Sequence, residues 1–421
     1  MKSFLIIFLV IFSVTFCQTK DLSFANDGIF NPPTYYERLR LLEAVATRPF
    51  YQWYYYAVSD YDVGVEFAMS IGVSKSSESG SKKNEGIYIM FCEVDPKNDK
   101  TFAKIEKYPL DDLSFSHDFD ISVDNQKFGI HPITNNSYKI WGTLNDPQHI
   151  WYSTGNSSDL DISWSLNIQR IYGWYGQQDL ENMYYLYGFI SWNTYSHDSL
   201  VSGVVTIGSK QYTLSPNSRI YCDMNWGDYF PVGPTKEFAW GWYKVLLPGK
   251  TPAEDVSIIA GTGLTSNITL FDTVEGCFAD VELGKLGKRE GYRFLEGWAT
   301  TPDPVVLLAT ASNGVFKNFS VERTNWFNYS DDLGQAQIPL TQYVYIASDT
   351  LQVSMTFQST PELYNRLLFP QEDYIFLILK LLGFVTCHIV ITSTNGTTKT
   401  LIDEVIDDAG LEFGYKCPVH F

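Results

Sequence analysis

The sequence predicts an all-β protein: two antiparallel β-domains in tandem, barrels or sandwiches, with a few short helices. Three observations predict it. Aromatic residues are dense, with 28 Tyr, 28 Phe and 11 Trp in 421 residues, and aromatic side chains favour strands. Short runs of β-formers recur between Gly, Asn and Asp punctuation, the pattern of sandwiches and barrels. Two aromatic strand openings, Gln52–Val58 and Trp240–Leu246, stand 188 residues apart, and each leads through a turn into an apolar strand. A duplicated unit explains that echo simply.

The chain starts with Lys2, an apolar run from Phe4 to Phe16, then Cys17 and Gln18. A basic start, a short apolar core and small or polar residues after it read as a secretory signal peptide cleaved before Gln18. The expected division is a signal peptide at 1–17, an extension at 18–50, and β-domains at 51–232 and 233–421. Within the extension, Leu39, Leu42 and Val45 recur at helical spacing after Pro32-Pro33. From Phe50 onward strands take over. Val65–Ile71 alternates with period two, as a half-buried strand does. A polar stretch at 74–86 separates it from the next strand, Ile87–Val94. Val204–Ile207, Gly208-Ser209 and Gln211–Leu214 read as a hairpin whose first turn residue, Gly208, suits type II′. Helices are expected near Pro361–Leu368 and Leu401–Ala409. The apolar run Ile375–Ile391 contains Lys380 and His388. A membrane span would bury those polar groups at real cost, so the run reads as two buried strands or a strand pair. No membrane span is expected in the mature chain.

The net charge is −18, the wrong sign for a general nucleic-acid partner. Export would make six Asn-x-Ser/Thr acceptors meaningful as glycosylation sites: Asn135, Asn156, Asn267, Asn318, Asn328 and Asn395. Five cysteines follow the leader: Cys92, Cys222, Cys277, Cys387 and Cys417. Spacing does not decide their pairing, and Cys387 with Cys417 is one candidate pair. Their density is too low for a disulfide scaffold, so a core must hold the fold. No G-x-S-x-G, H-E-x-x-H, G-x-G-x-x-G or Walker pattern occurs, and no two of the six histidines have metal-pair spacing. Neither a metal nor a nucleotide cofactor is expected.

The most informative stretch is 217–247. Asp223, Asn225, Trp226, Gly227 and Asp228 cluster where a strand is expected to end in a turn. Trp240 and Trp242 then share one face of the following strand, because residues i and i+2 point the same way. One reading gives a strand–turn–strand with Trp in the core and Asn and Asp bonding the turn. The other places the polar cluster at the mouth of an aromatic-lined cavity, since small-molecule sites are mostly apolar with a few placed polar groups.

Gly203–Asp228 followed by Phe238–Leu247 resembles the tandem lipocalin-like (calycin) superfamily. That group includes fungal decalin-forming Diels–Alderases, hydroxyneurosporene synthase (carotenoid hydratase) relatives and tocopherol cyclase relatives. The marks are a glycine-bounded hairpin, an N-W-G-D segment at Asn225–Asp228 and a W-x-W strand at Trp240–Trp242. Gln52–Val58 is similar to the family's opening aromatic strand. Met224-Asn225 stands where the hydratase branch commonly carries a His. The resemblance implies two lipocalin-like β-domains and a hydrophobic small molecule, polyketide- or terpenoid-like, as partner. It implies cofactor-free cyclisation, hydration or isomerisation, with Asp223, Asn225 and Asp228 as candidate catalytic groups. Trp53, Tyr55, Asn225, Trp226, Trp240 and Trp242 would line the ligand. The alternative is a secreted, non-catalytic carrier of an apolar ligand, or a glycan-binding protein.

Overall fold

The computed structural model describes residues 50–76, 82–95, 100–115, 121–124, 127–134, 137–154, 157–172, 190–228, 238–251, 254–268, 271–283, 318–331, 334–371, 374–394 and 397–417. The expected signal peptide and the helix at 32–48 lie outside these residues. So do the sequons Asn135, Asn156 and Asn395.

The described chain is almost entirely strand, arranged as two antiparallel sheets. The first sheet contains β1 (Phe50–Asp60), β2 (Val65–Lys75), β3 (Gly86–Asp95), β4 (Lys100–Tyr108), β5 (Leu113–Phe115), β6 (Ile121–Val123) and β7 (Phe128–Thr134). It continues with β8 (Ser137–Leu144), β9 (Ile150–Ser153), β10 (Ile162–Tyr172), β11 (Ile190–Ile207), β12 (Lys210–Thr213) and β13 (Arg219–Asp228). Its strand order is β5-β6-β7-β8-β10-β11-β13-β1-β2-β3-β4-β9, with β12 on β11. The second sheet contains β14 (Phe238–Leu247), β15 (Val256–Ile268), β16 (Phe271–Leu283), β17 (Asn318–Asp331) and β18 (Gly334–Ala347). It ends with β19 (Leu351–Gln358), β20 (Asn365–Gln371), β21 (Tyr374–Ser393) and β22 (Lys399–Cys417). The order is β16-β15-β14-β22-β21-β19-β18-β17, with β20 on β21. In both sheets the opening strand lies between its own second and last strands: β1 between β2 and β13, β14 between β15 and β22. The two aromatic segments that echo each other in sequence therefore hold equivalent places.

Period-two alternation explains the first core. Tyr54, Tyr56 and Val58 of β1 point one way, with Phe67, Met69 and Ile71 of β2 and Ile89 and Phe91 of β3. They meet Phe128, Tyr138, Trp164 and Leu166 from across the curled sheet in one cluster. The curl is fastened where β4 comes back to the start of β10. Buried Lys104 donates to the carbonyl oxygens of Leu160 at 2.9 Å and Leu144 at 3.4 Å. Ala103 N–H donates to Thr154 Oγ1 at 2.7 Å, and Thr154 N–H to Ala103 O at 2.9 Å. Side chains thus satisfy backbone groups that a ladder would otherwise pair. The β11–β12 hairpin forms as expected: Gly208 takes φ +57° and Ser209 does not share the positive φ, the type II′ arrangement.

Five sequence expectations are corrected. Residues 361–368 and 401–409 are not helices beyond the 3₁₀ turn Pro361–Leu363; residues 365–368 lie in β20 and 401–409 in β22. Cross-strand packing overrides local propensity there. Val65–Ile71 is not half-buried but buried at every position, because the second sheet covers its outer face. Asn225–Asp228 is not a turn, since β13 continues through Asp228. Cys387 is a free, buried thiol, so it does not pair with Cys417; the register sets Cys387 opposite Ile406 and Cys417 opposite Ile375. Ile375–Ile391 is not two strands but falls within the single strand β21, whose register with β22 shifts between Leu381 and Cys387 in place of a turn. Among the described residues no helix is long and apolar enough to cross a membrane.

Candidate functional site

The outer face of β1–β3 carries the other half of the alternation: Trp53, Tyr55 and Ala57, then Ala68 and Ser70, then Tyr88, Met90 and Cys92. All are buried, yet none belongs to the first core. What buries them is the second sheet: β20 and β21 pack over β2, β3 and β4, and β11 meets β15. The register of β1 with β13 sets Trp53 opposite Asn225, Tyr55 opposite Asp223 and Ala57 opposite Tyr221. Directly opposed residues share a face, so this junction face also includes Tyr221 and Asp223.

From the other side comes Trp242, on the face of β14 that alternates with the core residues Tyr243 and Val245. Its indole lies across Gly410, where an added Cβ would sit 3.1 Å from the ring. Three rings meet here. Tyr221 and Trp242 have centroids 5.0 Å apart. Tyr55 stands edge-on to Trp242 at 6.4 Å and 86°, and 6.3 Å from Tyr221. A directional chain of donors runs through them: Trp242 Nε1–H donates to Tyr221 Oη at 3.3 Å, and Tyr221 O–H donates to Asp223 Oδ2 at 2.7 Å. Burial holds the Tyr55 phenol well above its ordinary pKa, and the nearby acids Glu412, Glu66 and Asp223 add to the effect. Tyr55 therefore stays a neutral O–H donor opposite the Asp223 carboxyl, which accepts from Tyr221. This pairing can polarise a carbonyl or move a proton without a metal.

The structure thus brings Tyr55, Asp223 and Trp242 together. Trp53 shares their face of β1 but packs elsewhere: its ring lies flat on Gly72, and Tyr88 stands 6.3 Å away. Asn225 is the residue opposite Trp53, and Trp226, opposite Gln52, sits on the alternate face of β13. Asp228 pairs with Phe50 at the far end of the strand. Trp240, two residues before Trp242, is opposite Gly263 and Gly414. The side chains of Asn225, Trp226, Asp228 and Trp240 lie outside the described residues. Sequence reading passed over Tyr221, Glu66, Glu412 and Lys244. Tyr221 and Lys244 were findable, because each stands two residues from a chosen residue and shares its face. Nothing local marks Glu66 or Glu412. Among the candidate glycan acceptors, Asn328 has an exposed side chain on β17, accepting from Gln337 Nε2 at 3.3 Å.

No family model matches the chain, and no curated protein matches its sequence. Solved structures do match its shape. A protein assigned as AttH from Nitrosomonas europaea superposes with a TM-score of 0.50 at 9% identity, over 89% of this chain and 93% of that one. The fold is lipocalin-like. Kievitone hydratase from Nectria haematococca gives 0.49 at 11% identity, covering 88% of each chain. CghA with Sch210972 gives 0.45 at 9% identity, covering 88% and 89%. In lipocalin-like terms the junction cluster is outside the first core and between the two β-units, so Tyr55 and Trp242 do not line the inside of the first sheet.

Proposed function

We propose that this chain is a secreted lipocalin-like protein that binds a hydrophobic small molecule, polyketide- or terpenoid-like, at the junction of its two β-units. We further propose that it acts on that molecule by cofactor-free cyclisation, hydration or isomerisation. One observation carries the reading: a phenol, Tyr55, set opposite a carboxyl, Asp223, which accepts from the Trp242–Tyr221 donor chain within an aromatic setting. Such a pair supplies a general acid and a general base, whose contribution is typically 10²–10⁴-fold. Aromatic walls can add preorganisation of an apolar substrate. Export is supported by the leader at 1–17, and the division into domains at 51–232 and 233–421 by the separate sheets.

The alternative, a carrier without turnover, is favoured by the way Asp223 is tied to Tyr221 of its own strand. Native mass spectrometry of secreted material separates the two. Ligand released unchanged, with no conversion of linear polyene precursors, supports the carrier. Conversion that is lost in Asp223→Asn and Tyr55→Phe, both still folded, supports the enzyme. A folded protein that neither retains nor converts an apolar ligand refutes both readings.

A further inference from the structure

At the other end of the same junction, two carboxyl groups, one from each β-unit, converge on one guanidinium. Arg219 of β13 places its Nε 3.2 Å from Asp255 Oδ2 and 3.6 Å from Asp198 Oδ1. Asp198 belongs to β11 of the first sheet; Asp255 immediately precedes β15 of the second. All three are buried, with side-chain exposures of 7% for Arg219 and 0% for both acids.

The donors are shared unequally. Asp255 accepts Arg219 Nε–H at 3.2 Å and Gly249 N–H at 2.6 Å. Among the described residues no donor reaches either oxygen of Asp198; the Asp255 carboxyl is held against the same Arg219 Nε. Two buried carboxylates in such contact cannot both ionise cheaply. A proton held by Asp198 and donated to Asp255 satisfies both groups and leaves Asp255 and Arg219 as a balanced pair. Burial pushes the Asp198 pKa well above the usual carboxylate range, Asp255 adds to the rise, and Arg219 and Lys244 oppose it. The surroundings do not restore the balance. Tyr61, at the turn after β1, feels Asp408 of β22, Asp198 and Glu66 of β2 as well as Arg219. Lys244 of β14 reaches the Ser59 hydroxyl at 3.4 Å. Four acids, Asp198, Asp255, Asp408 and Glu66, therefore surround two cations, Arg219 and Lys244.

We propose that Asp198 and Asp255 share one proton across the junction of the two β-units, and that this proton is a pH-operated latch. In acid the units are fastened to each other. In alkali Asp198 releases the proton to solvent, and two like charges face each other in a closed space. The linkage sign follows from the native state binding the proton more tightly than the unfolded chain does: the stabilisation is complete below the unfolded Asp value and is lost as pH rises through the native one. The latch does not depend on the ligand reading above.

The test is thermal unfolding of the full chain from about pH 5 to about pH 8, in native form and as Asp198→Asn, which fixes the neutral form. The native protein is expected to lose about 5 °C of Tm more than the variant over that range. Asp159→Asn, at an exposed carboxyl bonded, among the described residues, only locally to Ser158 Oγ at 3.4 Å, should leave the native curve unchanged in shape. A constant offset between Asp198→Asn and the native protein at every pH overturns the latch. Infrared spectroscopy covers the case in which the variant does not fold. At about pH 7.5 the native protein should still show the C=O stretch of a protonated carboxyl, and absence of that band overturns the proposal.

Discussion

Replacing Lys104 with methionine tests how the first sheet is held closed. Lys104 is 2% exposed in its side chain and lies 3.7 Å from Glu106, which is fully buried. Its ammonium also satisfies the carbonyls of Leu144 and Leu160. Methionine keeps most of the stem volume, so the loss is electrostatic and not a cavity. It leaves a buried carboxylate without its cation, which costs about 3–5 kcal/mol; the stranded carbonyls, at ~1–3 kcal/mol each when unsatisfied, fall within that range or raise it. For a unit of this size, Tm should fall by roughly 6–20 °C. Lys104→Met with Glu106→Gln should recover at least about 1 kcal/mol, because the stranded charge is gone. The glutamine carbonyl still accepts from Asp146 N–H, as Glu106 does at 2.9 Å. Urea unfolding of the single and double variants reads both numbers. A single variant within about 1 kcal/mol of the parent, or a double variant no better than the single, would refute the account of Lys104 as the fastener.

Three further predictions rest on separate contacts. Gly72→Ala sets a methyl 2.2 Å from the Trp53 ring, so it should cost about 1–3 kcal/mol and alter the near-ultraviolet dichroism of tryptophan; an unchanged spectrum and stability would show that the ring does not rest there. Asp408 is raised from 3.8 to about 6, chiefly by burial, so Asp408→Asn should match the parent near pH 4 and exceed it by up to about 3 kcal/mol near pH 8. The reverse order in chemical unfolding would refute the sign. Burial holds the thiols of Cys222 and Cys387 above their ordinary range, Cys387 to about 12. With Cys92 they should resist alkylation in the folded chain and react once it is unfolded, which peptide mapping would check.

Much of the fold was legible because strand alternation is a local signal. Val65–Ile71 needed only the period of two, Gln52–Val58 its density of β-formers, and Ile87–Val94 the polar stretch that precedes it. The turn at Gly208 was legible because φ near +60° selects glycine. The helices expected at 361–368 and 401–409 failed because side-chain spacing in a short window does not register the neighbouring strands that claim it. Asn225–Asp228 misled for a related reason. Asn, Gly and Asp usually break a strand, yet here both β1 and β11 pair with β13 along this segment. Within the site, Tyr55, Asp223 and Trp242 were readable as aromatic and acidic residues on strand faces. Glu66 and Glu412, far apart in the chain, were not.

By itself the sequence determined the class of structure, two β-units opened by matching aromatic strands, because hydrophobic periodicity and turn chemistry act within a few residues. It also determined which side chains share a face. Only the tertiary structure decided what each face meets. Alternation assigns Tyr54 and Tyr55 to opposite sides of β1, but both sides become buried when a second sheet covers the first. That covering turns a surface strand into a two-sided core and closes acids from three strands and a loop around two cations. Charges that water would screen in separate units must then be balanced by protons and hydrogen bonds, a constraint that exists only once the two sheets are in contact.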